Sequence, residues 1–276
     1  TYIEMKKNQF YLLFIILLLW AKAFHAREQI SRNMFMVTNL NTENGLSSSR
    51  VYSIVEAEDG AMWISTKRGV DRYNGQVVTN YTLATEMQYS DASGRTIKLL
   101  QDCNRQIYAY DNKGKVYIYN KDQDAFILKY NLLNLLGRST VLNELLVDSK
   151  GNFWLALDHG LYWLQASVDE KEISQEKAKG KYILRNVYIN HIQFVGQKLL
   201  VGTSKDVYQY SLVSLKMEKK LNGFSVVSSY HDRVAHQIWL GTFHQGVLVL
   251  DDRTWNPVSI VDFGSLSKIP LLDEKY

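Results

Sequence analysis

Val51-Tyr52-Ser53-Ile54-Val55, Glu58-Asp59-Gly60, Met62-Trp63-Ile64-Ser65-Thr66 and Gly69-Val70-Asp71-Arg72-Tyr73 follow one another within residues 51–73. In order they read as an apolar strand, a polar turn, a strand with a large ring near its start, a Gly-containing turn and a further strand. Asp59-Gly60 is a tight-turn pair: Gly reaches positive φ at little cost and Asp hydrogen-bonds its own backbone. Met62, Trp63 and Ile64 are consecutive and apolar, with no alternation. A half-exposed strand alternates, whereas a strand covered on both faces need not.

The block recurs. Phe153-Trp154-Leu155-Ala156 is followed by Gly160-Leu161-Tyr162, Leu199-Leu200-Val201-Gly202-Thr203 by Val207-Tyr208, and Ile238-Trp239-Leu240-Gly241-Thr242 by Gly246-Val247-Leu248. A weaker copy reads Ile107-Tyr108-Ala109-Tyr110, then Gly114-Lys115-Val116-Tyr117. The large residues stand at 63, 108, 154, 200 and 239, in steps of 45, 46, 46 and 39. With β-rich, turn-punctuated segments, that period predicts four-stranded antiparallel propeller blades. The fold expected is therefore all-β, with blades at about 46–82, 94–131, 139–185, 186–221 and 224–263. Trp63, Tyr108, Trp154, Leu200 and Trp239 are read as core between blades, and Ser65, Ala156, Gly202 and Gly241 as room for the next blade's ring.

Outer strands are predicted at Val77–Tyr81 and Phe126–Tyr130, and a charged solvated loop at Asp169–Lys181. Phe35–Leu40 reads as a strand without a blade of its own. Ser265-Leu266-Ser267 with Ile269–Asp273 echoes Gly45-Leu46-Ser47 with Val51–Glu56 and is read as the start of a sixth blade, 265–276. Residues 33–276 are thus expected to form an incomplete propeller, five blades plus the first strand of a sixth. It would be an open arc of a seven-bladed ring that leaves the face around Trp239, Leu248 and Leu250 without a neighbour. Five-bladed closure, with strand 35–40 beside 248–250 or 258–263, is the rival.

Met5-Lys6-Lys7, the apolar run Phe10–Trp20 and Ala21-Lys22-Ala23 have the layout of a signal peptide over 5–23, and the run is too short for an ordinary spanning helix. Residues 1–4 read as an upstream, non-native start. Without residues 1–23 the chain keeps 29 basic and 27 acidic residues, which gives no reason to invoke nucleic acid or an anionic membrane. Aromatic content, 18 Tyr and 6 Trp, suits pleated surfaces. The one cysteine, Cys103, excludes an internal disulfide, so the core must hold the fold.

Gly45-Leu46-Ser47, Asp59-Gly60, Met62–Thr66 and Gly69–Tyr73 together resemble the two-component regulator propeller repeat. The resemblance runs over about 33–276 and is specific in the first, third and fifth copies; Ala109-Tyr110-Asp111 departs from it in the second. It implies the periplasmic sensor of a hybrid two-component protein. Such a protein has a pair of seven-bladed propellers, a β-sandwich, a membrane helix, a histidine kinase, a receiver and a DNA-binding output domain. The implied partners are an oligosaccharide, the remainder of the same polypeptide and a second copy in a homodimer. Any kinase activity would lie in those further domains.

No catalytic residue, metal or cofactor is assigned. His159, His191, His231, His236 and His244 are isolated in sequence; His231 and His236 flank a turn and could meet, but no third ligand has metal-site spacing. A glycoside hydrolase needs two carboxylates about 5–10 Å apart, and sequence places no such pair. A ligand would meet the loops joining second to third strands, which carry Lys67-Arg68, Asn112-Lys113, Asp158-His159, Lys205-Asp206 and His244-Gln245. Arg68, Lys113, His159, Lys205 and His244 are the candidates for hydrogen bonds to sugar hydroxyls or pairing with an acidic sugar's carboxylate. A protein-binding scaffold propeller and a glycan-active enzyme are the competing readings.

Overall fold

The computed structural model describes residues 39–83, 95–132, 135, 139–165 and 179–261. The chain divides into two units, 1–40 and 41–276. Only Asn39 and Leu40 of the first are described, so the signal peptide and most of strand 35–40 lie outside the described residues. So do residues 166–178 and the proposed sixth-blade strand 265–276.

Among the described residues, twenty strands form five four-stranded antiparallel sheets, each made of strands consecutive in the chain. Blade one is β1 (Val51–Glu56), β2 (Met62–Thr66), β3 (Val70–Tyr73) and β4 (Val78–Tyr81). Blade two is β5 (Ile97–Gln101), β6 (Ile107–Asp111), β7 (Lys115–Asn120) and β8 (Ala125–Asn131). Blade three is β9 (Leu142–Val147), β10 (Phe153–Leu157), β11 (Gly160–Leu164) and β12 (Gly180–Arg185). Blade four is β13 (Ile189–Val195), β14 (Lys198–Thr203), β15 (Asp206–Ser211) and β16 (Met217–Asn222). Blade five is β17 (Val226–Asp232), β18 (Gln237–Thr242), β19 (Val247–Asp251) and β20 (Pro257–Val261). The charged segment read as a loop ends sooner than expected, since Gly180 and Lys181 already belong to β12.

Local chemistry builds each hairpin. In the β1–β2 turn Gly60 sits at φ +75°, its N–H donating to Ala57 O at 3.0 Å, while Asp59 Oδ1 accepts from Ala61 N at 3.1 Å. Asp102 does the same for blade two, accepting from the N–H groups of Asn104 and Gln106, both at 2.9 Å. Asp148 serves blade three and also accepts from the Trp154 indole N–H at 3.3 Å, so the turn positions the core ring. Gly69 and Gly160, which open the third strands, are required by close approach: a Cβ on either would lie 2.4 Å from a fourth-strand carbonyl oxygen, that of Tyr81 or Leu184.

Four hydrophobic clusters account for the blade contacts, one per junction. Trp63 packs with Ile97, Ala109 and Tyr117 between blades one and two; Tyr108 and Tyr110 with Leu145 and Leu155 between two and three. Trp154 and Ala156 pack with Val201, Tyr208 and Tyr210 between three and four; Leu200 with Leu240, Leu248 and Trp255 between four and five. Side chains of the innermost strands add clasps. Ser53 Oγ accepts from Leu99 N at 2.8 Å. Glu144 Oε2 accepts from Ile192 N at 2.8 Å and lies 2.9 Å from His191 Nδ1, and His191 Nε2 meets Ser229 Oγ at 2.7 Å. That imidazole touches blades three and five from blade four.

The five blades form an open arc, with no extended packing between blade five and blade one among the described residues. This decides the fate of the five equivalent core residues. Trp63, Tyr108, Trp154 and Leu200 are buried, whereas Trp239 is 39% exposed. Trp239 lies on the open flank, because no described blade follows its own. Leu248 and Leu250 correct an expectation: both are fully buried, since they face blade four rather than the open flank. On blade one, the position occupied by Tyr117, Tyr162, Tyr208 and Leu248 in later blades is Asp71. Asp71 is fully buried and accepts from Ser47 N (2.8 Å), Ser47 Oγ (2.9 Å) and Asn80 Nδ2 (2.8 Å). The Gly45-Leu46-Ser47 segment thus closes over the back of blade one. The described residues contain five blades; neither a sixth blade nor a seven-bladed ring is among them.

Candidate ligand-binding site

Each blade ties the end of its second strand to the residue that precedes its first. Lys67, Asn112, Asp158, Ser204 and Phe243 donate through N–H to the carbonyls of Arg50, Thr96, Val141, Tyr188 and Ser225. These five bonds put the second-to-third strand loops and the starts of the innermost strands on one edge of the arc. At that edge lies a cavity of about 380 Å³, lined by Thr96, Lys98, Asn112, Val141, Leu142, Asn143, Tyr188, Asn190 and Val227. Blades two to five all contribute.

Asn143 organises the wall. Its Nδ2 donates to Ile189 O at 2.9 Å, its Oδ1 accepts from Tyr188 OH at 3.3 Å, and its own carbonyl accepts from Lys98 Nζ at 2.9 Å. Blades two, three and four therefore meet through one residue. The Tyr188 ring is about half exposed, as is Val227. Amides, a hydroxyl, an ammonium and an accessible ring supply donors, acceptors and an apolar face, the composition of a site for a small polar ligand.

None of the five candidates from sequence lines this cavity, although Lys113 adjoins Asn112. Arg68, Lys205 and His244 are exposed at their loops, and His244 stands edge-on to the Phe243 ring with centroids 4.6 Å apart. Lys113 is half-buried, its N–H donating to Asp111 Oδ1 at 3.0 Å. His159 is held on both ring nitrogens, Nδ1 at 2.6 Å from Asp158 Oδ1 and Nε2 at 2.7 Å from Tyr182 OH. The cavity residues come instead mostly from the starts of the innermost strands and the residues just before them: Thr96 and Lys98, Val141 to Asn143, Tyr188 and Asn190.

His231 and His236 do come together, on Asp252: its Oδ2 lies 2.9 Å from His231 Nε2 and 3.4 Å from His236 Nδ1. The His231 hydrogen bond, opposed by burial and seconded by His236, holds the Asp252 carboxyl below its usual range. Among the described residues no group of three or more His, Cys, Asp or Glu side chains is placed to hold a metal ion.

Residues 45–68 match the family described as two component regulator propeller. No curated protein matches the chain. Among solved structures it is similar to the extracellular domain of a protein described as a hybrid two-component system of B. thetaiotaomicron, at 15% identity over 82% of this chain and 36% of that one, TM-score 0.48. It is similar to a chain of the Mitotic Checkpoint Complex at 11% identity over 86% and 75%, TM-score 0.58. It is also similar to PorZ, a surface component of the type-IX secretion system of Porphyromonas gingivalis, at 9% identity over 81% and 34%, TM-score 0.58. The chain spans about a third of the length of the first and third of these proteins. At such identities the likeness is one of fold: this chain is a β-propeller, and its residues 45–68 match the two component regulator propeller model.

Proposed function

We propose that this propeller is a non-catalytic, ligand-sensing module of a periplasmic two-component signalling protein, and that it recognises an oligosaccharide. The observation that carries the reading is the cavity whose wall is shared by four blades and knitted by Asn143. A ligand there touches several blades at once, so its binding energy acts on their mutual arrangement, which is what a sensor must convert into a signal. The repeat at 45–68 supports the two-component context. Export by residues 5–23, a kinase and output domain elsewhere in the protein, and pairing with a second copy complete the proposal. A seven-bladed ring belongs to the same proposal, and a further blade would cover Trp239, which is exposed where its four counterparts are buried.

Calorimetry of the full chain against a panel of glycan oligosaccharides tests this. Binding that is weakened at least about tenfold by Tyr188→Ala is expected, since stacked ring and hydroxyl are both lost. The aromatic flank of blade five, Tyr230, Trp239 and Phe243, favours the scaffold alternative. Binding of a protein partner there, with no glycan bound, would select it. Measured glycan turnover would overturn the non-catalytic reading.

A further inference from the structure

Charge sets the cavity apart. Eight of its nine lining residues are neutral, and the ninth is Lys98. Four basic side chains elsewhere in the described blades sit against carboxylates: Arg72 with Asp59, Arg95 with Asp111, Lys198 with Glu218, Lys220 with Asp206. Lys98, like Lys219 on Thr254 O, is anchored on a carbonyl instead. Its ammonium donates to a backbone carbonyl, Asn143 O, at 2.9 Å. A carbonyl fixes the position of the ammonium without cancelling its charge, and the bond uses one of three N–H donors. Lys98 lines the cavity together with Thr96, which carries a hydroxyl, and Asn190, which carries an amide. The amide offers a donor and an acceptor side by side, a match for neighbouring hydroxyls. The half-exposed Tyr188 ring and Val227 supply a flat apolar surface.

We propose that this cavity receives a sugar bearing a single anionic group, with the anion on the Lys98 ammonium, hydroxyls on Asn190 and Thr96, and a ring face on Tyr188. The inference rests on the glycan-sensing reading above and adds to it the charge of the ligand and the residue that reads it. About 380 Å³ lies within the range of small-molecule sites, about 300–1,000 Å³. A charge-assisted hydrogen bond from the ammonium is stronger than a neutral one, so an anionic group is distinguished from a hydroxyl at the same position. Carboxylate and sulfate ester share this chemistry, and the test separates them.

The experiment is calorimetry on the full chain with three ligand sets: uronic-acid oligosaccharides, the same oligosaccharides with each carboxyl reduced to the alcohol, and sulfated neutral oligosaccharides. One of the anionic sets is expected to bind about tenfold or more tightly than the reduced set. Lys98→Gln should erase that preference, so that anionic and reduced sets bind alike, and Lys98→Arg should keep it. Thermal melting of each variant verifies that it is folded. The anionic set that binds identifies the group as carboxylate or sulfate. Equal binding of anionic and reduced ligands, or a preference that survives Lys98→Gln, overturns this inference and leaves glycan sensing standing. Absence of binding by every glycan overturns both.

Discussion

Trp154 and Trp239 occupy the same place in the third and fifth repeats, on second strands and pointing toward the next blade, yet their removal should cost different amounts. Trp154 is fully buried between blades three and four, its indole N–H directed at Asp148. At about 25 cal/mol per Å² and about 200 Å² for an indole, truncation to Ala forfeits about 5 kcal/mol of burial. A residual cavity adds to this, and measured Trp→Ala costs of about 3–5 kcal/mol agree. Trp239 is 39% exposed. Three-fifths of the same area gives about 3 kcal/mol, with no cavity term, because its outer face already meets solvent. The difference of about 2 kcal/mol is more secure than either total, since errors in the unfolded reference cancel. In urea, with a slope of about 2–3 kcal/mol/M, Trp154→Ala should lower the midpoint by about 1 M more than Trp239→Ala. Circular dichroism and intrinsic fluorescence should report coincident transitions if unfolding is cooperative. Equal midpoint shifts would refute the open flank. In a longer chain in which a blade covers Trp239, the two costs should converge.

Asp71→Ala leaves the Ser47 N–H and the Asn80 amide facing a buried site without an acceptor, and should cost about 1–3 kcal/mol in chemical denaturation. Gly69→Ala places a Cβ 2.4 Å from Tyr81 O at φ +156°; a lowered melting temperature is expected, and an unchanged one would show that β4 can yield. The Asp252 carboxyl is depressed in the folded state chiefly by the His231 hydrogen bond. Its contribution is therefore complete above the unfolded value of about 4 and lost as pH falls through the lower folded value. Asp252→Asn should accordingly destabilise the chain more at pH 6 than at pH 3, read as melting temperature at each pH. Equal losses at the two pH values would show that the His231–Asp252 pair contributes nothing pH-dependent to stability.

The sequence by itself determined the blade. Its turns are local chemistry, as Asp59-Gly60 and Asp148 with Gly151 show, and the consecutive apolar residues of Met62–Ile64 and Phe153–Leu157 announce a strand covered on both faces. The step between large residues then counted the blades, because each repeat carries its full set of hairpin signals within about 45 residues. The tertiary structure alone decided two other matters. One is the wall of the cavity: Lys98, Asn143 and Ile189 meet across intervals of 45 and 46 residues, through a register between innermost strands that no single repeat encodes. Sequence drew attention to Arg68, His159 and His244 because loops advertise polar side chains, while the positions that line the cavity are read only once neighbouring blades are in place. The other is the burial of the large residue itself. Trp63, Trp154 and Trp239 are alike in sequence, but burial belongs to a pair of surfaces rather than to a residue, and only for the first two does the fold supply the second surface.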